Sequence, residues 1–408
     1  MKLMKVTTIQ DALEIIANEF RALETEVVVL SEAGGRILAK EIISAEDVPG
    51  FNRSTVDGYA IMAEESFGAS DSIPAIFDLT GEILMGAQAP AISAGQCYLV
   101  HTGGMLPSGA DAVIMIENTE LVNTQVHCYR QVGPGENIIR KGEDLKENQV
   151  ILHEGKKIRA PELGLLASIG TVEITVYRKP LVGIFSSGDE LVEYTNQNLA
   201  NGQIRNCNSI SLAYMVKQFG GVPLYGGILP DQQDHFIKQS QEMLENVDFL
   251  VFSGGSSVGN RDYTAITMQE LGNPGLLIEG LAVQPGKPTL LAKCNEKPVL
   301  GLPGHPISAM NIFALLGKTI ISHLVGNSGE LYNPSVKASI SRNIPSKTGR
   351  TDYVRVKIDQ QGEDLIATPI FGRSGILRTL SEANGLIIIP AAKEGLYEGE
   401  QVEIYLLD

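Results

Sequence analysis

The feature that most constrains the fold is an alternation of short apolar runs and helical segments between residues 181 and 327. Continuous apolar runs of this length are typical of strands buried on both faces of a sheet. Strands are predicted at residues 181–185, 222–228, 249–252, 276–283 and 299–302, with helices near 209–219, 233–246, 263–271 and after 306. This alternation predicts a doubly wound, mostly parallel α/β sheet.

Each predicted strand is followed by a loop rich in glycine, proline or acidic residues. The loops lie at residues 186–190, 229–231, 253–259, 284–288 and 302–306. Loops that leave parallel strands emerge at the carboxyl edge of the sheet, where open α/β sheets bind their ligands. The sequence therefore predicts one ligand site at this edge, with Glu190, Asp231 and Lys287 among its charged groups.

The loop after the third predicted strand concentrates glycine where the strand ends. Gly254, Gly255 and Gly259 allow the backbone to approach a ligand, and N–H groups beside a helix start attract anions. Asp262 follows close to the predicted helix start. Because a carboxylate is not itself attracted to an anion, Asp262 indicates a bridging cation such as Mg²⁺. The loop predicts a site for a phosphorylated or oxyanionic ligand.

The same loop leaves two other functions open. Gly255, Ser257 and Gly259 match G-x-S-x-G, the nucleophile elbow of hydrolases, and His305 and His323 are the histidines that follow the serine. A hydrolase would also need an acid between the serine and the histidine, and an HGGG-type oxyanion loop before the serine. Neither feature is evident. A non-catalytic scaffold that binds a partner through its acidic surface is the other alternative, but it leaves the clustered loops unexplained.

Length and composition exclude several classes of protein. The 408 residues are too many for one hydrophobic core, so several domains are expected. The net charge of −16 argues against general binding to nucleic acid or to an anionic membrane. The four cysteines are widely spaced without a C-x-x-C pair, which is typical of a reducing cytoplasm without disulfides or a zinc ribbon. No signal peptide and no apolar run of transmembrane length are evident, so we expect a cytoplasmic protein.

Two β-rich regions flank the predicted sheet. From residue 46 to about residue 144, short strands separated by glycine, serine and proline predict a β-rich insert domain. After Asn333, apolar and polar residues alternate with a period of two, as at Tyr353, Val354, Val356 and Ile358. That pattern predicts a small all-β domain, a sandwich or a barrel.

The loops at the predicted edge favour chemistry on a phosphate or an oxyanion. Carboxylates on separate loops can hold a hydrated Mg²⁺, and Lys287 would offset the negative charge of a phosphate. Prolines on both sides of Gly286-Lys287 and of Gly304-His305 fix the loop backbone before a ligand binds. This set suits phosphoryl, nucleotidyl or oxyanion transfer, in which positioning and electrostatics supply most of the catalysis.

The ordered motifs resemble those of the molybdopterin molybdenumtransferases, the MoeA-type enzymes that include the gephyrin E domain. The resemblance runs through the chain in register. The matching stretches are FNRSTVDGYAI at 51–61, HTGG at 101–104, GED at 142–144, SGDEL at 187–191, GQIR at 202–205, GGSSVGNRDY at 254–263, PGKP at 285–288 and GLPGHPISA at 301–309.

The resemblance implies the last step of molybdenum cofactor synthesis. Enzymes of this type take adenylylated molybdopterin and molybdate and, with Mg²⁺, release AMP while the metal enters the dithiolene. It also implies an elongated homodimer and a separate adenylylating protein, besides other cofactor-synthesis or cofactor-accepting partners. The implied domains are a discontinuous, elongated α+β dimerisation domain (1–45 and 145–178), a β-rich insert (46–144), an α/β molybdopterin-binding domain (179–327) and a C-terminal β-barrel domain (328–408).

The resemblance also assigns roles to residues. Asp57, Thr102 and Asp144 match functionally sensitive positions outside the sheet domain that reach the cleft across the dimer interface. Asp231 and Asp262 are the candidates for Mg²⁺ or its water shell, and Glu190 for substrate or metal contact. The ligand-binding set comprises Lys287, Arg350 and Ser374 as oxyanion ligands, Pro303, Gly304 and Pro306 on the pterin side, and Ser253, Gly254, Gly255, Ser257 and Gly259 in the glycine-rich loop.

Two departures from the family pattern bear on these roles. Gln284 stands where some members carry lysine before the Pro-Gly-Lys-Pro turn, which leaves one positive charge fewer beside the expected molybdate. Ser256 replaces a valine of many members, which is a milder change. Molybdate and tungstate are tetrahedral dianions of similar size, so the sequence leaves the natural oxyanion, the Mg²⁺ ligand and the extent of domain movement open.

Overall fold

A computed structural model describes residues 6–254, 263–327, 334–372 and 375–407. The predictions made for five site residues lie outside this part of the chain. These residues are Gly255, Ser257, Gly259, Asp262 and Ser374.

The secondary structure is mostly short strands in the first half of the chain. Its elements up to residue 180 are α1 (Ile9–Glu19), β1 (Thr25–Val29), β2 (Ile42–Ile43), β3 (Arg53–Ser54), β4 (Gly58–Ile61), β5 (Ala75–Ile83), β6 (Gln96–Val100), β7 (Ala112–Met115), β8 (Thr119–Val122), β9 (Gln125–Cys128), β10 (Ile138–Ile139), β11 (Val150–Leu152), α2 (Ala160–Ser168) and β12 (Glu173–Tyr177).

The second half begins with alternating strands and helices and ends in strands. Its elements are β13 (Leu181–Ser187), β14 (Leu191–Val192), β15 (Ile204–Arg205), α3 (Asn208–Gln218), β16 (Val222–Leu229), α4 (Gln233–Asn246), β17 (Phe249–Ser253), α5 (Tyr263–Leu271), β18 (Gly275–Glu279), β19 (Val283–Gln284), β20 (Leu290–Cys294), β21 (Lys297–Leu302), α6 (Pro306–Ile312), α7 (Lys318–Leu324), β22 (Ser335–Ile340), β23 (Ile344–Pro345), β24 (Thr351–Gln361), β25 (Asp364–Pro369), α8 (Arg378–Ser381), β26 (Gly385–Ile389), β27 (Gly395–Leu396) and β28 (Gln401–Leu406).

The central domain is a six-stranded sheet in the order β16-β13-β17-β21-β20-β18. Strands β16, β13, β17 and β21 are parallel neighbours, and β20 runs antiparallel between β21 and β18. One face packs on α3, α6 and α7 through side chains such as Val251, and the other packs on α4 and α5 through side chains such as Phe252. The predicted doubly wound, mostly parallel sheet is confirmed.

The structure corrects the prediction of one strand over residues 276–283. Strand β18 ends at Glu279, and Gly280 adopts a φ of +141°, which favours glycine. Three residues after Gly280, β19 begins and pairs with β24 of the C-terminal domain, so the chain changes sheets inside the apolar run. The prediction also missed β20, because its short apolar run follows directly on a loop that contains two prolines.

The C-terminal domain is a small closed barrel. Its strands follow the order β24-β25-β22-β28-β26, and pairing of β24 with β26 closes the ring. Inward-facing Val356, Ile387 and Ile404 are buried in its core. Strand β19 adds to the outside of β24, so the sheet domain and the barrel share a backbone ladder. The predicted barrel is confirmed.

The remaining residues form two further packing units. Strand β1 pairs with β12 and β2 with β11, and Leu38, Leu166 and Val176 share one core, which joins segments on both sides of the insert. The insert itself has a six-stranded sheet, in the order β7-β4-β6-β5-β9-β8. Helix α1 packs in the core of the sheet domain through Ala12 and Ile16, whereas the family resemblance groups residues 1–45 with residues 145–178.

One helix among the described residues, Pro306–Leu324, is long and apolar enough to cross a membrane by length and composition alone. This finding corrects the expectation that no apolar run approaches that length. The helix contains one π-type turn, Phe313–Gly317, and its residues Phe313, Leu316 and Ile320 are fully buried in the core of the sheet domain. Its apolar character is therefore explained by packing inside the protein.

Candidate active site

Two acidic loops lie side by side at one end of the carboxyl edge of the sheet. Strands β13 and β16 are paired up to Ser187 and Leu229, so the loops that follow them are neighbours. The Asp231 backbone N–H donates to Asp189 Oδ1 at 3.1 Å, and the Ser187 hydroxyl lies 3.5 Å from Asp231 Oδ1. The structure therefore brings the loop of Asp231 onto the loop that carries Glu190.

Glu190 turns back over the backbone of its own loop. An ideal Cβ built on Gly188 would lie 2.6 Å from Glu190 Oε2, and Gly188 has a φ of +148°. Only glycine leaves room for the carboxylate in this position. Within the described ranges, no group of three or more His, Cys, Asp or Glu side chains, at this edge or elsewhere, is arranged to hold a metal. The predicted set of Glu190, Asp231 and Asp262 includes one residue outside those ranges and stays a prediction.

The middle of the edge is held together by Asn208, which sequence reasoning missed. Its side-chain amide donates to Ser253 Oγ at 2.7 Å and to the Gly304 carbonyl at 2.9 Å. It thereby joins the ends of β17 and β21 across the sheet, and Asn208 itself is buried. Asn206 lies close by, and its Oδ1 accepts from the Ser186 hydroxyl at 3.0 Å. Two asparagines at the start of a helix were the available signal.

Gly254 shows why this loop needs glycine. Its φ is +102°, and a Cβ there would lie 2.4 Å from the Ser187 carbonyl oxygen. Its N–H donates to the Leu302 carbonyl at 3.1 Å. The ends of β13, β17 and β21 therefore approach one another more closely than any side chain at this position would allow.

The loop that carries Lys287 reaches the same edge by a different route from the one predicted. It enters β20 rather than leaving a parallel strand, and because β20 is antiparallel, its first residue pairs with Gly301 near the end of β21. Two side chains fix the loop: Thr289 Oγ1 donates to the Gly286 carbonyl at 2.6 Å, and Asn311 Nδ2 donates to the Pro285 carbonyl at 3.1 Å. Lys287 is left exposed.

A cavity of about 1450 Å³ lies between this end of the edge and the C-terminal barrel. Pairing of β19 with β24 places Gln284 opposite Asp352 and so brings the two domains together here. The cavity brings together Lys287, Pro303 and Arg350 of the predicted site. It also has lining residues that the sequence did not single out for the site, among them Lys347, Arg355, Phe371 and Ile376.

Arg350 is held by a buried carboxylate. Its Nε donates to Asp352 Oδ1 at 2.8 Å and its Nη2 to Oδ2 at 3.3 Å, a two-point contact. The Ser346 hydroxyl donates to Asp352 Oδ2 at 2.9 Å. Asp352 therefore orients the guanidinium of Arg350, which lines the cavity.

The charged groups are sorted along the edge. From β16 to β20 the sheet takes four strand-to-strand steps, which is a distance of about 19 Å at the usual strand spacing. Asp231 and Glu190 lie at the first two strands, Gly254 and Gly304 follow the next two, and Lys287 lies at the fifth. The edge can therefore receive an elongated ligand with a cation-bound anionic group at one end and a free oxyanion at the other.

The insert domain has its own polar cluster around Asp57. The Thr102 N–H donates to Asp57 Oδ1 at 2.9 Å and lowers the pKa of that carboxyl. His101 lies with Nδ1 3.5 Å from Asp57 and Nε2 2.7 Å from Glu82 Oε1, and the hydrogen bond to Glu82 raises the pKa of the imidazole. The structure thus brings together the predicted Asp57 and Thr102, and it adds His101 and Glu82.

Asp144 lies on the loop between β10 of this domain and β11. Its backbone N–H donates to the Val48 carbonyl at 3.0 Å. Two residues earlier in the same loop, Gly142 donates to the Pro49 carbonyl, and the Lys141 N–H donates to Asn52 Oδ1 at 2.8 Å. Asp57, Thr102 and Asp144 thus belong to the insert region rather than to the edge of the sheet.

Comparison with known proteins agrees with this architecture. Three family profiles match successive parts of the chain. They describe the MoeA N-terminal region with domains I and II (residues 7–170), a "probable molybdopterin binding domain" (residues 183–323) and the MoeA C-terminal region, domain IV (residues 337–407).

Individual relatives are similar over nearly the whole chain. The molybdopterin molybdenumtransferase of Bacillus subtilis is 32% identical over 390 residues, covering 94% of this chain and 90% of the relative. That of Haemophilus influenzae is 32% identical over 384 residues, 93% of each chain. The solved molybdopterin biosynthesis MoeA protein of Pyrococcus horikoshii superposes with a TM-score of 0.86 at 32% identity, over 99% of this chain and all of the other.

Proposed function

The chain belongs to the MoeA family of molybdenum cofactor biosynthesis transferases, and we propose that it inserts molybdate into adenylylated molybdopterin with Mg²⁺-dependent release of AMP. The observation that carries the reaction is the sorted edge of the sheet. Acidic groups and a cationic cavity lie about 19 Å apart along one edge, with glycine loops between them. That order matches a substrate with a nucleotide phosphate at one end and a metal-accepting group at the other.

The acidic end would handle the phosphate. The oxygen donors of Glu190, Asp231 and Asp262 have the chemistry that Mg²⁺ prefers, and the cation when bound would neutralise charge on the phosphate that leaves with AMP. Backbone N–H groups of the loop from Ser253 to Gly259 would orient that phosphate. Asp189 supports this arrangement because its carboxylate fixes the backbone of Asp231.

The cationic end would hold the incoming oxyanion. Lys287, Arg350 and Ser374 are the proposed donors, and Arg350 is already oriented by Asp352. The backbone around Pro303, Gly304 and Pro306 would form the pterin side of the site, next to Lys287. Binding the oxyanion by preoriented donors lowers the cost of ordering at the moment of reaction.

Residues outside the sheet domain enter the proposal through a second copy of the chain. We expect a homodimer in which Asp57, Thr102 and Asp144 reach the cleft of the partner. The hydrogen bond from Thr102 keeps Asp57 ionised, which suits a residue that meets a cationic or hydrogen-bonding group. We also expect a cytoplasmic enzyme that receives its substrate from a separate molybdopterin adenylyltransferase.

The direct test measures AMP release by the purified protein from adenylylated molybdopterin, molybdate and Mg²⁺. We expect release that depends on both molybdate and Mg²⁺, and Asp262→Asn should abolish it while the protein stays folded. AMP release that does not depend on molybdate would contradict the proposed reaction. Normal turnover in Asp262→Asn would contradict the role assigned to that carboxylate. Labelling of Ser257 by a fluorophosphonate would favour the hydrolase instead, and normal cofactor insertion in cells lacking the protein would favour the scaffold.

A further inference from the structure

Arg355 is a buried cation for which the described part of the chain provides no side-chain partner. It lies in β24 and only 9% of its surface is exposed, yet it lines the cavity between the sheet domain and the barrel. Its Nε–H has no hydrogen-bond partner, and within the described ranges no carboxylate forms an ion pair with it. Burial lowers the pKa of its guanidinium, but arginine stays protonated in proteins.

Other arginines nearby are satisfied by groups of the protein itself. Arg350 makes its two-point contact with Asp352. Arg342 donates to the Pro369 carbonyl at 2.6 Å and lies over the ring of Phe371 at 4.7 Å. A buried guanidinium that only packs would be expected to find such partners, because an unpaired buried charge destabilises the fold. Arg355 therefore differs from these neighbouring arginines, because its guanidinium lacks such a partner among the described residues.

The cavity around Arg355 is short of negative charge. Among its described lining residues, Lys287, Lys347, Arg350 and Arg355 are cationic, and Asp352 is the carboxylate. Asp352 is already engaged by Arg350 and by the Ser346 hydroxyl. This local excess of positive charge stands in a chain with a net charge of −16. An anion entering the cavity would meet the charge that Arg355 leaves uncompensated.

We propose that Arg355 is an anion-binding residue of this cavity, whose guanidinium contacts a tetrahedral oxyanion directly. The oxyanion is either free molybdate or the phosphate group of a phosphorylated ligand, since both present the same geometry to a guanidinium. The inference deepens the proposed function and rests on it.

The test compares Arg355→Met with wild type and with the control Arg130→Met. Arg130 is an exposed arginine of the insert domain, paired with Glu136, so the control makes the same substitution away from the cavity. Calorimetric titrations use sodium molybdate and AMP as separate probes, and melting temperatures are recorded with and without each probe. We expect Arg355→Met to weaken binding of at least one probe by about 10- to 100-fold, as for loss of a charged hydrogen bond, and the control to bind like wild type.

Stability separates a ligand residue from a structural one. If Arg355 serves a ligand, Arg355→Met keeps or raises the melting temperature of the free protein and loses the rise that the probe produces in wild type. Loss of molybdate binding alone identifies the free oxyanion, and loss of AMP binding alone identifies a phosphate group. A lowered melting temperature with wild-type affinity for both probes would overturn the inference.

Two further variants keep the test decisive if methionine is poorly tolerated. Arg355→Lys keeps the charge and should retain part of the affinity, whereas Arg355→Gln should lose it; equal affinities in the two would contradict a direct contact. A wild-type protein that binds neither probe would contradict the proposed function together with the inference. Wild-type binding that all three variants of Arg355 retain would contradict only the role of Arg355.

Discussion

The two ends of the carboxyl edge are built in different ways. The acidic end is made by loops that leave neighbouring parallel strands, so Asp231 and Glu190 come together within one sheet. The cationic end needs two domains: Lys287 comes from a loop entering an antiparallel strand, and Arg350 and Arg355 come from the barrel. One end is thus fixed by local topology, and the other depends on how β19 joins the sheet domain to β24.

This difference separates the consequences expected for substitutions at the two ends. Changes at the acidic end should affect the chemical step and leave oxyanion affinity unchanged, because the two sets of side chains lie on strands about 19 Å apart. At that separation, solvent and salt screen most of the direct interaction between exposed charges. Each end can therefore be tested against the other in the same protein.

Among the substitutions that compare the two ends, the largest effect is expected for Asp231→Asn. Loss of one carboxylate from a cation-binding set should lower turnover by about 100-fold or more. Affinity for molybdate, measured by titration calorimetry, should stay within about twofold of wild type because Asp231 lies at the other end of the edge. Asp234→Asn, an exposed change in the first turn of α4, is the control and should keep full turnover. A comparable loss of molybdate affinity in Asp231→Asn would show that the two ends of the edge do not act separately.

The opposite result is expected for Lys287→Gln. Removing one charged donor should weaken molybdate binding by about 10- to 100-fold. Turnover at saturating molybdate should fall less than it does in Asp231→Asn. The matched control is Lys238→Gln, at an exposed position of α4. Unchanged molybdate affinity in Lys287→Gln, measured by the same titration, would remove Lys287 from the cationic end.

Asn208→Ala tests the glycine loops between the two ends. The change leaves Ser253 and the Gly304 carbonyl without their shared donor, which should cost about 1–3 kcal/mol of unfolding free energy. Chemical denaturation measures this loss, with Asn246→Ala at the exposed end of α4 as the control. Because the link lies between the two ends and holds the loops next to each of them, turnover and molybdate affinity should both fall modestly. A loss of turnover without a loss of molybdate affinity, or the reverse, would show that the glycine loops do not serve both ends.

The smallest effect is a pH dependence confined to the insert domain. The pKa of His101 lies above its ordinary 6.5, chiefly through Glu82, so its stabilising charge is fully present below pH 6.5 and is lost as the pH rises through the raised value. The pKa of Asp57 lies below its ordinary 3.8, so that contribution is present above pH 3.8 and is lost as the pH falls through the lowered value. Both groups are exposed, which keeps the change in stability small.

Melting temperature as a function of pH measures this effect. His101→Gln should remove the decline of stability above pH 6.5 that comes from the insert cluster. His235→Gln in α4 is the control and should leave the profile unchanged. A profile that is the same in His101→Gln and wild type would show that the contacts with Glu82 and Asp57 do not contribute.

Much of the site could be predicted from the sequence because its chemistry sits at strand ends. Short apolar runs followed by glycine, proline and acid placed Glu190, Asp231 and Gly254 on one edge, and the structure confirms that sheet. Asn208 escaped because a polar residue inside a helix start carries no periodic signal, and its two partners lie 45 and 96 residues away. Residues 276–283 were also predicted to form one strand, because a continuous apolar run gives no sign that the chain changes sheets within it.

The amino-acid sequence by itself determined the alternation of strands and helices in the central domain, the all-β character of the C-terminal domain and the acidic loops, because periodicity and turn residues act over a few positions. Only the tertiary structure decided which cations meet. The antiparallel β20 turned Lys287 toward the edge, and the pairing of β19 with β24 set the barrel against it. Burial of Arg355 without a partner among the described residues is likewise invisible in the sequence, because it depends on contacts between distant segments rather than on the residue type.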